Sequence, residues 1–156
     1  MLVPLDEADE RCGGKAANLA RLLREGFPVP PGFVVLDALG GDGWVHEVGA
    51  ALRDLGAGPL AVRSSALGED GGEASFAGQL HSALGVPGPA RVVEEVRRAA
   101  RSGTSPRALA YAARTGREPA AVVPVLVQVL VPAEVAGVVF TRHPVTGAHE
   151  VVVEAG

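Results

Sequence analysis

An α+β fold is predicted by three features of this 156-residue sequence. Short extended patterns alternate with apolar residues at helical spacing over the first half, further helical stretches follow, and β-branched runs fill the last third. Three such runs with short connections predict an antiparallel meander at the C-terminal end. The composition agrees with one globular domain: 47% hydrophobic and 21% charged residues are a folded balance, not a disordered one. With only 4% aromatic residues, the core has to be built from Val, Leu and Ala.

The elements follow in order. Residues 1–5 are a short apolar start. Gly13 and Gly14 precede a helix over 15–25, where Ala16, Leu19, Leu22 and Leu23 fall at helical spacing and Gly26 suits the position just past its end. The segment 27–32 holds three prolines and cannot be helical, and 33–36 is a strand. A loop at 40–43 leads to a helix over 44–55, with Val45, Val48, Ala51, Leu52 and Leu55 on one side, and 60–63 is a strand. From 64 to 78 the chain is polar and small, with Gly68, Gly71, Gly72 and Gly78. A stretch of that length without periodicity reads as a functional loop. Residues 79–86 are extended, and 90–101 form a helix with Val92, Val93, Val96 and Ala100 inward. Ser105 caps a further helix that has Pro106 at its first position and closes at Gly116. The β-branched runs span 122–131, 135–141 and 150–153, with a turn at 143–147. The expected organisation is a single domain over 1–156 with sublobes 1–86 and 87–156.

Several classes of function are disfavoured at once. A net charge of −4 without a basic stripe argues against nucleic acid as a partner. No apolar stretch approaches the ~18 residues of a membrane span, and the acidic start MLVPLDEADER is not a signal peptide. Cys12 is the single cysteine, which excludes an internal disulfide and makes a reducing, cytoplasmic setting the expectation. His46, His81, His143 and His149 show no metal-ligand spacing with one another or with Cys12.

Five segments could carry chemistry, and each has a structural alternative. Gly13, Gly14 and Lys15 open a helix, whose N–H groups and dipole suit an anion; the alternative is an exposed lysine after a glycine turn. Arg63 ends a short strand, where a guanidinium can fork onto phosphate oxygens. Ser64 and Ser65 follow as hydrogen-bond donors, and Glu69 and Asp70 could orient a cation; the alternative is a strand end with a solvated acidic pair. The small residues around Phe76, with Ser75, Gly78 and Gln79, could close over a triphosphate or simply pin a loop. Gln128 interrupts an apolar run and needs a partner, either an adenine edge or solvent. Glu154 ends another apolar run, where a carboxylate could hold Mg²⁺ or stand in water.

Taken in order, three stretches carry a resemblance. GGKAANLARLLREGFPVPPGFVV (13–35), VRSSALGEDGGEASFAGQ (62–79) and AGVVFTRHPVTG (136–147) resemble the nucleotide-binding domain shared by phosphoenolpyruvate synthase, pyruvate phosphate dikinase and rifampicin phosphotransferase. The match runs from Gly13 to Glu154, and the stretch 38–59 is shorter than the family pattern. The resemblance implies an ATP-grasp fold, in which two lobes clamp Mg-ATP. It implies that Lys15 and Arg63 contact the phosphates, that 73–79 covers them, that Gln128 lies at the adenine hinge, and that Glu154 matches an acidic strand-end position near the metal. It further implies that ATP phosphorylates a histidine on a separate carrier domain, which passes the phosphoryl group to an acceptor. His143 lies in a Pro-Val-Thr-Gly turn and does not match that histidine. Family members continue beyond the Val-Glu-Ala-Gly of 153–156, so the domain is expected to be incomplete and the isolated chain to show little turnover. The functional expectations are an ATP-binding module of a dikinase-type phosphotransferase, a non-catalytic or regulatory ATP-binding module, or a truncated inactive remnant.

Overall fold

The structure is a computed structural model that describes residues 1–56, 58–66, 81–106, 109–110 and 123–156. Its centre is a five-stranded sheet. The strands are β1 (Leu2–Pro4), β2 (Gly32–Val35), β3 (Leu60–Ser64), β4 (Ser82–Val86) and β5 (Val125–Val129). They lie in the order β1-β2-β5-β3-β4, and every neighbouring pair is antiparallel. Helix α1 (Gly14–Arg24) covers one face, while α2 (Gly43–Leu55) and α3 (Gly88–Arg101) cover the other. The α+β class is as the sequence predicts.

Side-chain alternation sorts the strands into two cores. Phe33, Val35, Leu60, Val62, Val125 and Val127 point toward α2 and α3, where they meet Trp44, Val48, Leu52, Val92, Val96 and Ala99. Val34 and Leu126 point the other way and pack with Ala16 and Ala20 of α1, together with Leu5, Ala8 and Cys12. Both faces of β5 are therefore covered, which explains the apolar run over Val125–Val127. The helices begin and end within about two residues of the bounds expected from their periodicity. Pro106, Leu109 and Ala110 are helical, and the Leu109 N–H donates to the Ser105 carbonyl (2.9 Å).

The three C-terminal runs do not pair in succession. β5 leaves the other two and inserts between β2 and β3, where it satisfies backbone groups on both edges. The remaining runs, β6 (Gly137–Phe140) and β7 (Val152–Ala155), form a separate antiparallel ribbon. The physical reason is burial. Val125, Leu126 and Val127 are fully enclosed, whereas Val138, Val139 and Val153 of the ribbon stay exposed. The main sheet thus draws strands from both sides of position 86. Among the described residues, no helix is long and apolar enough to cross a membrane.

The ribbon's turn is organised by His143. Its Nδ1 accepts from the backbone N–H groups of Val145 and Thr146 (both 3.2 Å), and its carbonyl accepts from the Gly147 N–H (2.9 Å). Gly147 has φ of 70°, a conformation that favours glycine. This histidine has the turn role that the sequence assigns to it.

Two predictions follow from this packing. Gly13 has φ of 83° and ψ of 164°, a region open essentially to glycine, and a Cβ there would collide with the Ser65 carbonyl. Gly13→Ala is expected to destabilise the fold by roughly 2–4 kcal/mol, measured by urea unfolding. Cys12 is 1% exposed, and burial pushes its thiol pKa up. Burial disfavours the thiolate, so alkylation of the native protein should lag that of the unfolded chain and accelerate only at higher pH. Equal labelling rates in the two states would contradict the buried placement.

Candidate functional site

The residues singled out by sequence converge where the start of α1 meets the end of β3. Gly13 brings the chain into α1 with no side chain to cap it. The cap comes instead from Ser65: its Oγ accepts from the Ala16 N–H (3.1 Å), in a buried setting. The Gly14 N–H donates to the Ala66 carbonyl (3.1 Å), and the Ser65 N–H donates to the Pro124 carbonyl (2.8 Å). The backbone after β3 is thereby locked between α1 and the entry to β5. The amides of Gly14 and Ala16, which the sequence pattern offers to an anion, are engaged within the chain. Positive charge at this helix start comes from Lys15, half-buried in the first turn.

Arg63 stands on the same side. On β3 it lies opposite Leu126 of β5 and Ser82 of β4, and alternation turns it toward the face that carries α1. It is half-buried. Lys15 and Arg63 are thus carried by two elements joined through Ser65 and Ala66 on one face of the sheet. Gln128 lies on that face too, two residues along β5 from Leu126 and opposite Ala61. It is 7% exposed, and its Nε2 donates to the Pro30 carbonyl (2.9 Å). A protein carbonyl therefore takes the amide donor that an adenine edge or solvent was expected to engage, and the bond ties the proline-rich 27–32 segment to the sheet centre.

Other expected site residues lie elsewhere. Alternation turns Ser64 away from Arg63, and its hydroxyl donates to the His81 carbonyl (3.1 Å), which also accepts the Ser64 N–H (3.0 Å). Glu154 is exposed on β7, opposite Val138 in the separate ribbon. Among the described residues, no group of three or more His, Cys, Asp or Glu side chains could hold a metal ion. Ser75, Gly78 and Gln79, with Glu69, Asp70 and Phe76, lie outside the described residues. A cleft of about 560 Å³ between α2 and the start of α3, lined by Leu52, Arg53, Leu60 and Pro89 among others, touches none of the expected residues. Another, of about 510 Å³, runs along α1 and includes Gly14, Asn18 and Arg21.

Two features escape sequence reasoning. One is Ser65 as a cap supplied from a distant segment. The other is Glu95, a carboxylate on the inward side of α3 whose side chain is 5% exposed and lies 2.6 Å from His81 Nε2. Its signal is present in the sequence: Glu95 falls among Val92, Val96 and Ala99 on the apolar stripe, and a polar residue there needs a buried partner. Asp9, one turn before Gly13, has its carboxyl held below the usual range by the Arg11 guanidinium, and it accepts from the Arg11 N–H (2.9 Å). That pair is exposed, and Asp9 also borders the cleft along α1.

Residues 43–156 match the family described as pyruvate phosphate dikinase, AMP/ATP-binding domain. The chain is 34% identical to a probable phosphoenolpyruvate synthase of Archaeoglobus fulgidus, over 92% of this chain and 26% of that protein. It is 35% identical to the prodigiosin synthesizing transferase PigC of Serratia marcescens, over 93% of this chain and 20% of that protein. With the phosphoenolpyruvate synthase of Pyrococcus furiosus the identity is 42%, over 62% of this chain and 12% of that protein. The chain spans about a quarter of the length of the first of these relatives. The Archaeoglobus alignment is 194 residues long, more than the 156 of this chain, so that relative carries residues within the matched region that this chain lacks.

The cap makes a direct prediction. Ser65→Ala removes the acceptor for a buried N–H, and should cost about 1–2 kcal/mol. Chemical denaturation measures it, with loss of helix signal expected to coincide with global unfolding because α1 packs against the sheet.

Proposed function

The chain belongs to the family of the pyruvate phosphate dikinase AMP/ATP-binding domain, and on that premise we propose that it is the ATP-binding module of a dikinase-type phosphotransferase. In this reading Lys15 and Arg63 take the phosphates, and the phosphoryl group goes to a histidine on a separate carrier domain or protein and from there to an acceptor. The single observation that carries it is the joint at Ser65 and Ala66, where the elements bearing Lys15 and Arg63 meet on one face of the sheet.

The chemistry suits that pair. Phosphoryl transfer asks a protein mainly to position the phosphates and to neutralise charge. Arg63, rooted on a strand paired on both sides, offers a planar guanidinium in a fixed frame for bidentate contact with phosphate oxygens. Lys15, in the first helical turn, offers a point charge, and the α1 dipole adds to it. Ser64, turned to the opposite face, is better read as a support for Arg63 than as a nucleotide ligand. Gln128 is proposed to border the base through the segment it holds at Pro30. Ser75, Gly78 and Gln79 are proposed, from sequence resemblance, to cover the phosphates.

Mg²⁺ ordinarily accompanies ATP in such transfers and neutralises charge between phosphate oxygens. The described residues do not supply a ligand set for it. Glu154 alone is proposed as a ligand, and the neutralisation assigned to this chain rests on Lys15 and Arg63. A non-catalytic ATP-binding role is the second reading. It is favoured by the exposed placement of Glu154 on a ribbon apart from the main sheet. A cytoplasmic setting is proposed on the single cysteine.

Calorimetric titration with ATP, with and without Mg²⁺, tests the proposal. Saturable binding is expected, weakened about tenfold or more by Lys15→Ala and by Arg63→Ala, in keeping with one lost charged hydrogen bond each. A folded chain that binds nothing at millimolar ATP, or substitutions without effect, would remove the site. Little ATP turnover is expected from the isolated chain. Phosphorylation of an added carrier domain separates the catalytic reading from the non-catalytic one.

A further inference from the structure

We propose that the His81–Glu95 pair is a positioning device for Arg63, acting through Ser64. The proposal rests on the nucleotide reading above.

Glu95 projects from α3 into the core with its side chain 5% exposed. A carboxylate so placed is costly unless its oxygens are engaged. One oxygen takes the His81 Nε2–H at 2.6 Å, and the other faces Arg91 and Arg98, each 3.4 Å away. The two arginines are more than half exposed and come from the same helix as Glu95. His81 is the partner from another element, immediately before β4. The short contact therefore ties the entry of β4 to α3.

The tie continues through the backbone. The His81 carbonyl accepts both the N–H and the hydroxyl of Ser64 (3.0 and 3.1 Å). Ser64 is the last residue of β3 and the neighbour of Arg63. A chain of four links thus runs from Glu95 through the His81 ring and the His81 carbonyl to Ser64 and Arg63. Alternation gives it meaning: the same strand end is held from the α3 face at Ser64 while Arg63 projects from the α1 face. β3 and β4 already pair along the strand, with an irregularity between Leu60 and Val62. The link at Ser64 fixes the rung beyond the Arg63–Ser82 pair, at the end nearest the Lys15 helix. His81 and Glu95 do not touch the nucleotide in this assignment. They set where the guanidinium starts from.

Three variants test this in the full chain: His81→Leu, His81→Gln and the double variant H81L/E95L. Gln retains an N–H donor at nearly the position of Nε2. The double variant removes both partners together, which spares the core an unpaired charge and keeps the fold. Backbone amide exchange at Ser64 and ATP affinity by calorimetry are the two readings. The expected result is exchange at Ser64 faster by about tenfold or more in the Leu and double variants. ATP affinity should fall by a similar factor in both, with both quantities restored near the parent's by Gln. Unchanged exchange at Ser64 in the folded double variant overturns the linkage. Faster exchange with the parent's ATP affinity overturns the positioning role while leaving the nucleotide site intact. A parent chain that binds no ATP removes the nucleotide reading first, and the positioning role with it.

Discussion

The fold depends on one strand being buried on both faces and paired on both edges. Without β5, the chain would hold two separate antiparallel strand pairs, β1 with β2 and β3 with β4. β5 joins them by pairing with β2 on one side and β3 on the other. Its residues come from the last third of the sequence, so the joint is non-local, and the loop-closure entropy must be met before the contacts form. What repays that cost is area: Val125 and Val127 complete the core under α2 and α3, while Leu126 completes the core under α1. A strand that serves two cores tolerates no polar side chain without a partner, and its one such residue, Gln128, has Pro30.

The same strand explains what the sequence could and could not disclose. Helices α1, α2 and α3 were legible because their apolar spacing is local, and glycine or proline marks their ends. The strands were legible as β-branched runs. Their partners were not, because a run of valines states only that a strand is buried and not against what. The exposed ribbon valines read the same as the enclosed valines of β5. The candidate site was legible only as residue types in a pattern. Lys15 and Arg63 could be picked out by residue type beside a helix start and a strand end, and the structure brings their elements together. The cap from Ser65 was not visible, since residues 49 positions apart gave no pattern. The opposite facing of Ser64 and Arg63 was implicit in the period of a strand, but only a known strand end made it usable.

The β6–β7 ribbon follows different physics. Two four-residue strands bury little, and a two-stranded ribbon in water is marginal at best. Here valines stand exposed on both of its faces: Val139 and Val153 on one, Val138 on the other. Backbone pairing and the His143 turn set its register, because side-chain burial does not. The main sheet is the reverse case, with register fixed by two buried faces. Glu154 belongs to the ribbon and Arg63 to the sheet, so the two candidate groups differ in how firmly their frames are held.

That difference separates structural roles from the proposed chemical role along β3. Leu60 and Val62 face α2 and α3 and carry stability, and large-to-small changes there should behave as core truncations of about 1–4 kcal/mol. Arg63 faces the other way, toward the α1 face, and is half-buried. Ser64 returns to the first face and fastens the strand end to His81. One residue in the strand thus carries the charge, while its neighbours on both sides hold the backbone from the opposite layer. Such an arrangement lets a cationic side chain keep a fixed origin without being enclosed. A phosphate-binding group needs that condition, because enclosure would add a desolvation cost and a loose origin would add an entropy cost.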